Sequence, residues 1–436
     1  MKLLLKKTVG LAAMVAVLAA STMACGKTET DAVPAKTETS GGEEKQVIKI
    51  VHYMGEQAKR DGLDLMLKEF KKTHPDVEFD VQAISAAQYI TMYKTRISAG
   101  DAPDLFFGKP RVLKEFVDGG HFMDITDAEC MKNVLPILKE ECSVDGKVYG
   151  FPLDAQVKAT FYNKKMFEEN GIEVPKTKDE FFAVCDAFEE KGILPMIHGY
   201  NNINCVFHEL DAYFTSQAVA EGVPNTWVDS QNGSAKLEGN PTVKSALEQY
   251  SKMASYKDQG DLALDQPQAI QDFAAEKRPM FTNGGWIMGD VAAANPEGEF
   301  GMFPTPWSNN PEENKLWIGI DDVFIVSNTT DKKDLVLELL NSFASEESSK
   351  IWMDNAKLMS SNMNVSVENA DPFIQEIKQY IDSDDIVAKS LVGDYTAEYL
   401  TAFRTQLQHF VTLEDEQRDV DALIKSLDTE IEGIRN

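Results

Sequence analysis

The sequence lacks an apolar run long enough for a permanent membrane span, which needs about 20 residues. Cysteine is scarce, with five in 436 residues, and no two are spaced as C-x-x-C, which disfavours a zinc or dithiol redox centre. Positive charge is also in deficit, because 43 Lys and Arg stand against 71 Asp and Glu for a net charge of −28. Such a field repels nucleic acid and anionic lipid, so the composition disfavours polyanion binding.

Common catalytic signatures are missing as well. There is no G-x-S-x-G elbow, Walker loop or dinucleotide glycine fingerprint. His208-Glu209 begins like a zinc-protease helix, but Ala212 stands where the second histidine would be. The sequence therefore predicts a protein that is not an enzyme, with no cofactor and no metal site. A secreted carbohydrate-active enzyme remains an alternative, because acid pairs such as Asp321-Asp322 could serve glycoside hydrolysis.

The N-terminus has the pattern of an export signal. A basic head is followed by an apolar stretch from Val9 to Ala20 and then by small residues leading to Cys25. This resembles a bacterial lipoprotein signal over 1–24 with Cys25 as the acylated first residue. Ordinary signal cleavage with a free Cys25 is the alternative, because Thr22 stands where that pattern usually has Leu. Residues 25–46 are polar and contain no aromatic side chain, which predicts a flexible tether.

Four cysteines follow the tether: Cys130, Cys142, Cys185 and Cys205. In an exported protein they could pair in three ways, and spacing does not choose among them. A chain of this length needs no covalent staple to build a core, so buried, unpaired thiols are favoured.

The first folded segment alternates strand and helix patterns. Residues 47–51, 77–81 and 104–107 read as strands, and apolar residues at helical spacing lie between them over 63–70 and 89–97. A β-α-β-α-β order implies a largely parallel sheet with right-handed crossovers. Ligands of such sheets bind beyond the carboxyl ends of the strands, which points here to His52–Gln57 and Gly108–Arg111.

A second α/β region follows. Residues 160–162 read as a strand and 164–170 as a helix stopped by Gly171. Thr177 and Glu180 form a capping box, and Asn240-Pro241 marks a further helix start. Because roughly 390 residues lie beyond Gln46, two lobes of α/β type suit the length better than one core.

Four segments in one order carry a family resemblance. They are Phe70-Lys-Lys-Thr-His-Pro-Asp-Val77, Ser98-Ala-Gly-Asp-Ala-Pro-Asp104, Asp145-Gly-Lys-Val-Tyr-Gly-Phe-Pro-Leu-Asp154 and Gly284-Gly-Trp286. Together they resemble the extracellular solute-binding proteins of ABC importers, in the carbohydrate-binding branch. The resemblance implies an α/β, two-lobe, periplasmic-binding-protein-like fold with three inter-lobe crossings and a hinge.

Carried onto this chain, the resemblance implies lobe boundaries. The first lobe would combine 47–154 with 323–357, and the second 155–316 with 366–436. Crossings would lie near 154–158, at 317–322 and at 358–365. The ligand would be trapped between the lobes when the hinge closes.

The resemblance also implies ligand contacts. Trp286 matches the family's stacking tryptophan, whose ring would cover the apolar face of a sugar, although a core tryptophan is the alternative. Glu56 and Gln57 match a polar pair after the first strand, and Asp154 and Gln156 lie in the first crossing, where the family commonly places an acid. Further candidates are Asp321 in the second crossing, Tyr53 as a reserve aromatic, and Tyr399, whose helical stripe also suits core packing.

The resulting hypothesis is a monomeric receptor, lipid-anchored at the outer face of the cell membrane or periplasmic. It would capture a carbohydrate, expected to be an oligosaccharide, and deliver it to the transmembrane permease subunits of an ABC importer. Nucleic acid is not an expected partner. A non-sugar solute, or a sensory rather than transport role, stays open as an alternative.

Overall fold

The structure, a computed structural model, describes residues 46–86, 88–387 and 396–435. The predicted signal segment, Cys25 and the tether up to residue 45 lie outside the described residues. No helix in the described part is long and apolar enough to cross a membrane.

One sheet is built mainly from the first quarter of the described chain. Its strands are β1 (Gln46–His52), β2 (Val77–Ala83), β3 (Leu105–Phe107), β6 (Phe151–Pro152) and β11 (Val323–Val326), in the order β2-β1-β3-β11-β6. β1 runs parallel to β2 and β3, which confirms the predicted parallel β-α-β-α-β start, whereas β11 returns antiparallel to β3. We call the part built on this sheet the first lobe.

A second sheet is organised around one long strand. Its members are β7 (Asp154–Asn163), β8 (Met280–Gly284), β9 (Phe300–Phe303), β10 (Leu316–Gly319), β12 (Met359–Ser360) and β13 (Ile386–Val387). The first half of β7 pairs with β12 and β10, and its second half pairs with β8 and β9, all antiparallel. We call the part built on this sheet the second lobe. A small hairpin, β4 (Ser143–Val144) with β5 (Lys147–Val148), stands apart.

Helices cover both sheets. The helices nearest the first sheet are α1 (Gln57–Lys71), α2 (Tyr89–Ser98), α3 (Lys114–Asp118), α4 (Pro136–Glu141), α12 (Lys333–Phe343) and α13 (Glu346–Ala356). The others are α5 (Lys164–Asn170), α6 (Lys178–Glu189), α7 (Ile203–Ala220), α8 (Thr226–Asn232), α9 (Pro241–Met253), α10 (Gln266–Ala274), α11 (Met288–Ala294), α14 (Pro372–Asp382), α15 (Ala397–Thr412) and α16 (Val420–Arg435).

Several helix ends follow directly from local signals. The Thr177 side chain accepts from the Glu180 N–H while Glu180 accepts from the Thr177 N–H, so the predicted capping box forms at α6. The Asn240 side chain caps α9 by accepting from the N–H groups of residues 242 and 243. Gly171 ends α5 in the left-handed conformation at φ 66°, which glycine adopts without steric cost.

The chain passes between the two sheets three times. It leaves β6 at Pro152 and enters β7 at Asp154, returns from β10 to β11 through residues 320–322, and comes back to pair β12 with β7. One apolar core extends from the first sheet into the inner strands of the second, and another lies beneath α6, α7, α9, α15 and α16. The lobe boundaries given above stay a prediction.

Candidate functional site

A cavity of about 390 Å³ lies between the two lobes. It falls within the range of about 300–1,000 Å³ that small-molecule sites occupy. The first lobe contributes Tyr53, Met54, Gly55, Glu56, Lys59, Ala86 and Phe107; the second contributes Asn202, Asn204, His208, Gln266, Pro267, Ile270, Trp286 and Asp290; and the connection from β10 to β11 contributes Asp321 and Asp322.

The first-lobe wall is the loop that follows β1. It begins where a buried parallel strand ends, so its backbone and side chains face the crevice beyond the carboxyl end of the sheet. Tyr53 packs between Tyr89 and Phe107, with ring centroids 4.6 and 4.9 Å apart. Tyr53 and Phe107 present a rigid apolar surface to the cavity, and ligand contact by Tyr53 stays a prediction.

The second-lobe wall of the cavity carries Trp286. The residue lies in the short 3-10 turn Gly285–Ile287 after β8, is 8 % exposed and lines the cavity. Its ring meets the His208 ring edge-on at a centroid distance of 4.7 Å. A Cβ at Gly284 would collide with the Trp286 ring, so glycine at that position permits the ring's placement. Trp286 is thus both packed and in contact with the cavity.

A cluster of charged side chains lies in the cavity wall. Lys59, 2 % exposed, donates to Asp321 at 3.1 Å and pairs with Asp322 at 2.9 Å, while Lys109 lies 3.5 Å from Asp321. Burial acts against the ionised forms, but the two lysines hold the pKa of Asp321 at about 2. Burial would lower the pKa of Lys59, yet Asp322 and Asp321 outweigh it and raise that pKa well above its usual value. Asp321 therefore stays ionised as an acceptor at the cavity wall.

Asp154 lies beneath this cluster and does not line the cavity. Its side chain is fully buried, and neither carboxyl oxygen has a partner in the described part of the chain when counted as an acceptor. Burial, and then the neighbouring Asp322, raise the pKa of Asp154 well above its usual value. A protonated Asp154 has an O–H to offer to the neighbouring Asp322. Asp154 lies in the connection between the lobes, as predicted, and its contact with a ligand stays a prediction.

Gln156 is likewise covered, and it does not line the cavity. It belongs to a polar row on one face of β7 formed by Asp154, Gln156, Lys158 and Thr160, each no more than 4 % exposed. The opposite face of the strand is apolar, as successive side chains alternate. A strand with a polar face normally borders solvent, but here that face is covered, because Asp154 adjoins Asp322 and Lys158 pairs with Asp211 of α7.

Of the three remaining predicted contacts, Glu56 lines the cavity, whereas Gln57 and Tyr399 do not. Glu56 lines the cavity, and Gln266 of the second lobe donates to it at 3.5 Å. Burial raises the pKa of Glu56 despite the opposing effect of Lys59. Gln57 is exposed and turns into a neighbouring groove, where it donates to Asp61 at 2.7 Å. Tyr399 packs in the second-lobe core and donates to the Trp227 carbonyl at 3.4 Å, so its position is a core position away from the cavity.

Sequence reasoning missed several residues that line the cavity. Asn202, Asn204 and His208 come from the start of α7, and Lys59 comes from α1. Lys59 had a usable signal, because it shares the apolar face of α1 with Leu63, Met66 and Phe70. A lysine on a buried helix face implies a buried acidic partner. No comparable signal distinguished the two asparagines.

No group of three or more metal-ligating side chains is assembled among the described residues. Cys130, Cys142, Cys185 and Cys205 are buried and unpaired, which confirms the favoured state of these thiols.

Two α/β lobes that are joined by three connections and enclose a cavity define a class of proteins that trap a ligand by closing a hinge. The comparisons with known proteins agree with that class. The profile of the bacterial extracellular solute-binding protein family matches residues 56–350 of the 436, and the chain belongs to that family.

Relatives within the family share about a quarter of their residues with this chain. The multiple sugar-binding protein of Streptococcus mutans is 25 % identical over 336 residues, which span 73 % of each chain. The melibiose/raffinose/stachyose-binding protein MelE of Bacillus subtilis is 26 % identical, over 65 % of this chain and 66 % of MelE. Among solved structures, RafE in complex with raffinose has a TM-score of 0.75 at 21 % identity, covering 89 % of this chain and 100 % of RafE. At 21 % identity, the likeness to RafE shows a shared fold.

Proposed function

We propose that this protein captures an oligosaccharide between its lobes and delivers it to the permease of an ABC importer. The observation that carries the proposal is the aromatic lining of the cavity, Tyr53 with Phe107 from the first lobe and Trp286 from the second, together with amides and carboxylates. Aromatic faces cover the C–H faces of sugar rings, and amides and carboxylates bond the hydroxyl rims. Relatives named for sugar binding support the same ligand class.

The binding step is tested with purified protein starting at residue 46 in a thermal-shift screen. The panel contains mono- and oligosaccharides, amino acids, short peptides and polyamines. A ligand at 100 times its dissociation constant stabilises the folded state by about 2.7 kcal/mol, which is readily detected. We expect shifts with one class of oligosaccharide. Shifts only with peptides or amines would overturn the sugar assignment.

We propose further that binding is not followed by cleavage of the sugar. The family is one of binding proteins, which supports this reading. The test is prolonged incubation of the protein with the best ligand at equimolar concentration, followed by mass analysis of the sugar. The ligand should be recovered intact, and release of shorter sugars would favour the carbohydrate-active enzyme instead.

The transport role and the anchor need experiments in cells. A deletion strain should lose uptake of the ligand and regain it with the intact gene, whereas unchanged uptake would favour a sensory role. We also propose lipidation at Cys25. Full-length protein should label with a fatty-acid probe and stay with the membrane, and Cys25→Ser should abolish the label. Soluble, unlabelled wild-type protein would favour ordinary signal cleavage.

A further inference from the structure

The two lobes touch beside the cavity at the start of α11. This helix lies between β8 and β9 of the second lobe, and its first turn contains Gly289 and Asp290. Both residues line a groove of about 430 Å³ whose first-lobe side is formed by α1 and α13, and Asp290 also lines the ligand cavity. The first turn of α11 therefore separates the cavity from the groove at a point where the lobes meet.

Asp290 caps α1 from the other lobe. Glu56, at the N-cap position of α1, makes no side-chain hydrogen bond to the helix. Instead, Asp290 Oδ1 accepts from the N–H of Ala58, the second residue of α1, at 3.3 Å. An N-cap side chain commonly bonds this N–H, and the positive end of the helix dipole favours a carboxylate there. The N-terminus of α1 thus receives a cap that the second lobe supplies.

Gly289 allows the two helices to approach this closely. It is buried, and its φ lies outside the left-handed region, so backbone conformation does not require glycine. A Cβ there would lie 2.7 Å from the Ala58 Cβ and 2.7 Å from the Ala356 carbonyl oxygen at the end of α13. Neither atom belongs to a flexible side chain, so only a shift of one helix against another relieves the clash. Because glycine disfavours a helix relative to alanine, the contact between the lobes accounts for Gly289.

We propose that Gly289 and Asp290 are positioning residues for ligand capture, which hold α11 against α1 when the lobes are closed and so determine how tightly the ligand is retained. The inference rests on the proposed function, because it takes closure around an oligosaccharide to be the binding step. Asp290 and the N-terminus of α1 belong to different lobes, so opening of the hinge separates them. The apparent dissociation constant rises as the closed fraction falls, so a contact between the lobes changes affinity even where the sugar contacts stay the same.

The first test is the substitution Gly289→Ala. Raffinose, maltotriose, xylotriose and chitotriose are titrated by calorimetry, and the trisaccharide that binds the wild type most tightly is used for every variant. Gly289→Ala should weaken its binding at least about tenfold, because added volume at a close contact disfavours the closed state. Stopped-flow measurement should assign the loss to faster dissociation. At saturating sugar, small-angle X-ray scattering should give the variant a larger radius of gyration than the wild type.

Two other glycines provide matched controls. Gly433 is exposed in α16, and a Cβ there would meet no atom within 4 Å, so Gly433→Ala should leave affinity and radius of gyration unchanged. Gly62 lies in α1 and packs within the first lobe, where a Cβ would lie 3.2 Å from the Trp352 ring. Gly62→Ala should change the thermal unfolding temperature without speeding dissociation of the sugar, which separates packing within one lobe from contact between lobes.

Two substitutions of Asp290 test the cap. Asparagine caps helices about as well as aspartate, so Asp290→Asn should retain tight binding, whereas Asp290→Ala should lose about fivefold in affinity. A double-mutant cycle separates capping from direct contact with the sugar. If both residues act through the contact between the lobes, Asp290→Ala should cost little more once Gly289→Ala is present.

Four results would overturn the inference or its foundation. Wild-type affinity and radius of gyration in Gly289→Ala would show that this contact does not govern closure. Additive losses in the double variant would make Asp290 a sugar contact and overturn its role as a cap. If Gly289→Ala fails to fold, the Asp290 variants decide, and wild-type affinity in Asp290→Ala would overturn the inference. These three results leave oligosaccharide capture intact, whereas binding of no trisaccharide would overturn the proposed function and this inference with it.

Discussion

The substitution Asp154→Asn should stabilise the protein more strongly as pH rises. In the folded protein the pKa of Asp154 is raised by burial and by Asp322, with Asp321 adding to the effect and Lys59 opposing it. Folded Asp154 therefore keeps its proton at pH values where the unfolded chain has released its own. The contribution of Asp154 to the free energy of unfolding is therefore greatest below about pH 4, the pKa of Asp in the unfolded chain. It is lost progressively as pH rises toward the pKa of Asp154 in the folded protein.

The size of the effect follows from the retained proton. While the folded state holds one proton more than the unfolded state, the free energy of unfolding falls by about 1.4 kcal/mol per pH unit. Asparagine is close to the protonated acid in shape and can donate Nδ2–H to Asp322, but it takes up no proton. Over each pH unit in which this difference in bound protons holds, the variant should therefore gain about 1.4 kcal/mol relative to the wild type.

Urea unfolding at pH 4.5, 5.5, 6.5 and 7.5 measures the difference. Asp354→Asn serves as control because it removes an exposed carboxylate from α13, and it should leave the pH slope unchanged. If the free energy of unfolding has the same pH dependence in the wild type and in Asp154→Asn, folded Asp154 does not retain its proton. If Asp154→Asn instead loses stability relative to the wild type as pH rises, Asp154 is an ionised partner of Lys59.

Three other substitutions test the cavity. Lys59→Met leaves the buried carboxylate of Asp322 without its cation and should cost about 3–5 kcal/mol in urea unfolding, a loss that Lys59→Arg should largely avoid. Equal losses in the two variants would refute the argument that the charge of Lys59 stabilises the fold. Trp286→Ala should weaken oligosaccharide binding by about 1–3 kcal/mol in calorimetry, with Trp286→Phe in between; unchanged affinity in folded protein would make Trp286 a core residue only. Gly284→Ala should displace the Trp286 ring and reduce affinity while circular dichroism stays native, whereas native affinity would show that the ring adapts.

Much of the secondary structure was predictable because its causes are local. The capping box at Thr177, the asparagine cap at Asn240 and the glycine stop at Gly171 each act within one helical turn, and each forms in the structure. The alternating strands at the start of the chain pair as expected, because a β-α-β order leaves few topologies.

The candidate site was only partly predictable. The Trp286 turn lines the cavity because it follows a buried strand that ends there. Asp154 and Gln156 were expected at the same surface, yet both lie under it. An alternating strand shows which side chains share a face, but its pattern does not say whether solvent or another element covers that face.

The sequence by itself determined the family, the element order and the turns that carry Tyr53, Glu56 and Trp286, since these depend on short-range geometry and on motifs. Only the tertiary structure decided which charges meet. Lys59 is paired with acids more than 260 positions away, and Lys158 with Asp211 at a separation of 53. Ionisation depends on burial and on neighbours within a few ångströms, and chain folding alone sets both.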